Sequence, residues 1–211
     1  MGILFVIFIH LAIILVLASF IALFGGVVAF FKRSRPKGKR RIFVAIVSPF
    51  VGLYAFYFLY LIGASMVGMW KDVDMGIGDA WYVPLSEDYR LLFIDIPEQA
   101  FIEHKDSTVL DNVSHVFQSE DKVYCETWDS EYYMLNTTDG SLRKFDEVLE
   151  FRNAVPNNNK PLTDVNSFYY ERRDAIAGIW FIIAAVLSAG ASVWVVYTLH
   201  RLIIGKATAT S

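Results

Sequence analysis

MGILFVIFIHLAIILVLASFIALFGGVVAFFKRSRPKGKRR occupies residues 1–41, and the change of character within it decides the fold. As far as Phe31 there is no Asp, Glu, Lys or Arg, and His10 is the only ionisable side chain. The next ten residues, 32–41, carry seven bases and no acid: Lys32, Arg33, Arg35, Lys37, Lys39, Arg40 and Arg41. A helix needs ~20 apolar residues to cross a hydrocarbon core of ~30 Å. The first stretch exceeds that length, and so do the charge-free runs 42–70 and 175–200. These runs predict three transmembrane helices, at 1–31, 42–70 and 174–204.

The first run is expected to be a membrane helix rather than a secretory signal. Such a signal has a basic start and an apolar core of ~7–15 residues, whereas here nothing basic precedes an apolar run of 29 residues. Myristoylation at Gly2 is excluded as well, because Val6 stands where Ser or Thr is required.

Charge is segregated along the chain. All 22 acids fall between Asp72 and Asp174, and that segment counted from Lys71 holds ten bases, a balance of −12 hidden by the total of −3. Short loops rich in Lys and Arg remain cytoplasmic. The expected topology therefore places loop 32–41 and the tail 205–211 inside a plasma or bacterial inner membrane. The N-terminus and the acidic segment 71–173 then lie outside. Topogenesis and attraction to anionic lipid account for the basic loop. It has no interleaved aromatics and no room for a nucleic-acid-binding fold, and Pro36 and Gly38 make it a turn.

Within the membrane segments, Pro49 falls near the start of the second helix, which an aromatic stretch from Tyr54 to Tyr60 follows. Ala184, Ser188 and Ser192 recur at spacings of four, the small-residue pattern that lets helices approach closely. Ala64 and Gly68 offer a similar stripe on the second helix. Packing within one chain and self-association into a homo-oligomer both use such stripes. With His10 alone inside a span, a transport path has few ionisable groups to work with.

The acidic segment reads as short β-rich runs separated by turn-formers. They are 80–85, 89–96, 100–104, 113–118, 122–128, 131–136 and 141–145. Asp139-Gly140 between the last two is a strong hairpin signal. Residues 146–155 read as a short helix capped by Asp146, and 156–167 as an exposed loop. The fold class expected is a membrane protein with three transmembrane helices and a small α+β domain, mainly an antiparallel meander of about six strands. Trp81, Phe93, Phe117 and Trp128 are its expected core.

No catalytic constellation emerges, and no cofactor or metal is implied. Asp72, Asp74 and Gly76 begin a calcium-loop pattern that fails at Gly76 and Val83. His104, His115 and Cys125 lack the spacing of a zinc site, and a single cysteine forms no intrachain disulfide. The leading functional expectation is a non-enzymatic binding or assembly module. Its acidic surface, with Tyr132, Tyr133, Tyr169 and Tyr170 as exposed aromatic candidates, would meet a protein partner, either a subunit of a larger membrane assembly or a basic extracytoplasmic protein that the chain neutralises. The alternatives are a hydrolase or metal-dependent enzyme built on His104, His115 and Cys125, and a signal-transfer subunit acting through the third helix.

Overall fold

The structure is a computed structural model that describes residues 2–32, 38–156 and 161–205. Arg33, Arg35 and Lys37 of the basic loop, most of the tail, and residues 157–160 of the expected loop lie outside these. In chain order the elements are α1 (Ile3–Phe31), α2 (Gly38–Lys71), β1 (Ala80–Pro84), β2 (Tyr89–Ile94) and a 3-10 turn (Pro97–Gln99). There follow β3 (Phe101–His104), β4 (Ser107–Leu110), β5 (Val113–Ser119), β6 (Lys122–Thr127), β7 (Tyr132–Asn136) and β8 (Leu142–Phe145). The chain continues with α3 (Val148–Ala154), β9 (Thr163–Asp164), α4 (Val165–Arg173), a π-helical turn (Asp174–Gly178) and α5 (Ile179–His200). Three helical stretches, Ile3–Phe31, Gly38–Lys71 and Val165–Gly205, are long and apolar enough to cross a membrane. The chain divides into two compact units, Gly68–Gly178 and the helical remainder.

In the helical unit, small side chains sit where helices meet. Ala64 is fully buried, and Ala184, Ser188 and Ser192 are nearly so. A Cβ on Gly63 would stand 3.2 Å from the Ala184 Cβ, so α2 and α5 approach at the distance their small residues allow. Ser192 Oγ donates to the Gly52 carbonyl at 2.6 Å, joining the same pair of helices. The Tyr54 hydroxyl donates to the Leu11 carbonyl at 3.1 Å, and the His10 ring meets the Tyr57 hydroxyl at 3.2 Å, which ties α1 to α2. His10 thus has a local partner in the span. Pro49 lies inside α2 without ending it.

Gly68 corrects the expectation of a helix-packing stripe. A Cβ there would be 2.8 Å from the Val73 carbonyl oxygen, and Val73 N–H donates to the Gly68 carbonyl. What comes close is the turn that ends α2.

The Gly68–Gly178 unit contains two antiparallel sheets, ordered β1-β2-β3-β4 and β8-β7-β6-β5-β9. In the first sheet, the cross-strand rows Trp81–Phe93 and Val83–Leu91–Ile102 share a face. Val83, Leu91, Phe93 and Ile102 are at most 1% exposed. Tyr169 of α4 packs edge-on against Phe93 and beside Trp81. In the second sheet one face carries Val116, Val123, Cys125 and Leu135, all fully buried. The other presents Tyr124 and Phe145 to α3, whose Phe151 and Val155 complete a small core. Phe117 is partly buried against it. The sheets are stitched by Val113 N–H to the Ala100 carbonyl at 2.8 Å and by the Gln118 amide to the Leu85 carbonyl at 2.6 Å.

The first and last elements of this unit are fastened at Asp74, which is 6% exposed. Its carboxylate accepts from Gly76 N–H at 2.6 Å, Tyr82 N–H at 3.3 Å and the Tyr169 hydroxyl at 2.5 Å. Arg173 lies 3.8 Å from the same carboxylate and donates to the Asp74 carbonyl. A buried charge is tolerable when its lone pairs are filled this way. Asp74, one of the acids that resemble the start of a calcium loop, is therefore the centre of a structural node.

The meander is more elaborate than expected. Among the described residues nine strands form, β4 and β9 adding to the seven predicted runs, and 156–167 contains β9 and the start of α4. Asp146 does not cap α3. The N-cap position is Glu147, without a side-chain cap bond. Trp128, expected in the core, is 53% exposed.

Candidate partner-binding surface

The four tyrosines expected as exposed contacts fall into different environments. Tyr169 is 1% exposed and belongs to the core between α4 and the first sheet, which removes it from any outer surface. Tyr170 is 44% exposed, with its ring edge-on to Trp81. Tyr132 is half-buried, its ring 4.9 Å from Phe151 and its hydroxyl donating to Glu126. Tyr133 is on the opposite face, donating to Glu131 at 2.6 Å under the Lys144 ammonium. Hydrogen bonding to Glu131, then burial, raises its phenol above the ordinary range. These rings form no common patch.

The surface that stands out is one end of the second sheet. The pairing register places Val113 opposite Thr127, Glu126 opposite Tyr132, and Tyr132 opposite Phe145. The loops at residues 111–112, 128–131 and 146–147 therefore gather at the same end. Trp128 N–H donates to the Asn112 carbonyl at 2.9 Å and fixes two of them together. Left-handed backbone at Asn112 (φ 55°) and Ser130 (φ 59°) makes the tight reversals. Trp128 is exposed at this end, and Asp111, Asp129, Asp146 and Glu147 are exposed in the loops gathered there. Among the described residues none of these four acids is held in an ion pair. The bases close by are Arg152, which acts electrostatically on Tyr132, and Lys144, bonded to Glu131.

An exposed indole amid uncompensated carboxylates offers a flat apolar face and a negative field together. A Lys or Arg side chain uses both, stacking on the ring and pairing with an acid. Across the whole unit, 17 of the 22 acids are exposed, so the −12 balance is a property of its surface.

Of the residues of the enzymatic alternative, His104 lies in one sheet and His115 and Cys125 in the other, on adjacent strands but opposite faces. His104 stacks on Tyr89 in the first sheet, 3.9 Å from Asp88. His115 lies in the second sheet, 3.2 Å from Ser114 Oγ and 4.0 Å from Glu126. Cys125 pairs across from Val116 with no exposed surface, and burial pushes its thiol far up. Among the described residues no three His, Cys, Asp or Glu side chains gather as a metal site. No protein-family model, curated protein or solved structure matches the chain significantly.

Proposed function

We propose that this chain is a membrane-anchored, non-enzymatic binding module whose β domain receives a basic protein partner at the Trp128 end of its second sheet. The observation that carries this reading is the exposed tryptophan at the same end of the sheet as four exposed acids that, among the described residues, are in no ion pair. Trp is enriched among the few residues that dominate protein interfaces, and leaving one in water forgoes burial worth several kcal/mol, roughly. The basic loop favours a topology with 32–41 cytoplasmic and the β domain outside. The partner is then an extracytoplasmic basic protein or the basic face of another membrane subunit.

The test is capture of partners by the full-length protein in detergent, at low and high salt. The wild type is expected to retain a basic protein at low ionic strength and release it as salt rises. Trp128→Ala is expected to weaken capture about tenfold or more while leaving the melting temperature unchanged. Capture that ignores both salt and Trp128 would refute the assignment.

A further inference from the structure

The helical unit contains nine bases and no acid, because every Asp and Glu of the chain falls between Asp72 and Asp174. Among the described bases, Lys32, Lys39, Arg40 and Arg41 cluster at the ends of α1 and α2, all exposed. None has a carboxylate partner among the described residues, and Arg40 donates only to the Ile203 carbonyl, at 3.3 Å. Their counter-charge has to come from another molecule.

Beside these bases lies an apolar groove of about 610 Å³ between α1 and α2. On α1, Ser19, Ala22 and Gly26 line it at i, i+3 and i+7, a single helical face. On α2, Ile42, Ile46 and Phe50 line it at spacings of four. Ser19 Oγ is satisfied by the Leu15 carbonyl at 2.7 Å, so even this polar residue presents no open hydrogen-bond demand. From Ser19 to Phe31 the groove runs roughly 18 Å along α1 at ~1.5 Å per residue. That is about one leaflet of a ~30 Å hydrocarbon core. It ends at Phe31 and Ile42, whose chain neighbours are Lys32 and Arg41.

We propose that this groove holds one acyl chain of an anionic phospholipid whose phosphate is paired by Lys32, Lys39, Arg40 and Arg41. A leaflet-long apolar slot with cations at its mouth has the amphipathic layout of such a lipid. Clusters of four or more bases beside a membrane segment are sufficient to select acidic headgroups. This site is independent of what the β domain binds.

Native mass spectrometry of the full-length protein, exchanged into mixed micelles of phosphatidylglycerol and phosphatidylcholine, tests the assignment. The wild type is expected to retain one phosphatidylglycerol in preference to phosphatidylcholine. Val27→Trp, which fills the groove, is expected to abolish retention with every base intact. Lys39→Gln with Arg41→Gln is expected to cut the headgroup preference about thirtyfold. Should the groove variant fail to fold, a phosphatidylglycerol with a photoreactive acyl chain maps the site on the wild type. Adducts are expected within 19–31 and 42–50. Equal retention of the two lipids, or adducts spread evenly onto exposed α5 residues such as Val186 and Leu187, would overturn it. So would a dimer that Val27→Trp dissociates, since the groove would then hold a second copy.

Discussion

Cys125 is sealed beneath the second sheet, and the nucleophilic form of a thiol is the thiolate. With burial holding its pKa far above the ordinary range, it is expected to resist a maleimide in the folded protein and to react within minutes in denaturant, by mass shift. Labelling at equal rates in both states would show that the domain opens readily. Glu131 illustrates the opposite regime, at the surface. The Lys144 ammonium, then the Tyr133 hydroxyl, hold its carboxyl below the ordinary value of 4.5. A carboxylate whose pKa is depressed by folding stabilises the folded state above its unfolded pKa. That contribution is lost as pH falls through the folded value. Melting temperatures of wild type and Glu131→Gln are therefore expected to differ slightly at pH 7 and to converge as pH falls through the lowered folded value of the carboxyl. The exposure of Trp128 is legible in principle. It has the parity of Tyr124 and Glu126, against fully buried Val123 and Cys125, and is followed by Asp129-Ser130. Buried Tyr124 hides that alternation, because α3 covers the face that strict alternation would leave wet.

Among the elements, α3 has only seven residues and no side-chain cap, so it persists by packing rather than by its own propensity. Phe151 is its anchor, 1% exposed and ringed by Tyr124, Tyr132 and Phe145. Phe151→Ala is expected to cost about 3–5 kcal/mol in chemical denaturation, whereas exposed Trp128→Ala is expected to change stability by about 0.5 kcal/mol or less. The long strands are legible because branched and aromatic runs alternate with turn residues. β4 and β9 are not, since Ser107–Leu110 begins with polar residues and Thr163–Asp164 is two residues long. α4 carries a usable signal, Asp164, whose carboxylate accepts from Ser167 N–H at 3.0 Å as an N-cap. The three asparagines before it draw the eye toward loop instead. Gly68 misleads because a small residue near a helix end serves equally for helix contact or for a returning turn.

For the molecule as a whole, membrane helices are the most legible feature, because a charge-free run of twenty or more residues matches the hydrocarbon core and exceeds an ordinary buried helix. The −12 balance locates the β domain but not its binding end, which arises from strand register and so from contacts distant in sequence. Gly68–Gly178 forms a compact unit with its own buried core. A fragment covering residues 71–174 is expected to unfold cooperatively on heating, with loss of β-type circular dichroism, and to migrate as a monomer. A fragment without a melting transition would mean that the membrane helices are needed for folding.

The node at Asp74 has a mechanical consequence. Because Asp74 near the domain's beginning is bonded to Tyr169 and Arg173 near its end, tension between the two flanking helices runs through a short polar knot. The knot is bonded to β1 through Tyr82, so load enters at the edge of the first sheet. A tug on the anchors would thus leave the Trp128 end undeformed, and a partner held there would feel the pull as a rigid handle rather than as an unravelling thread.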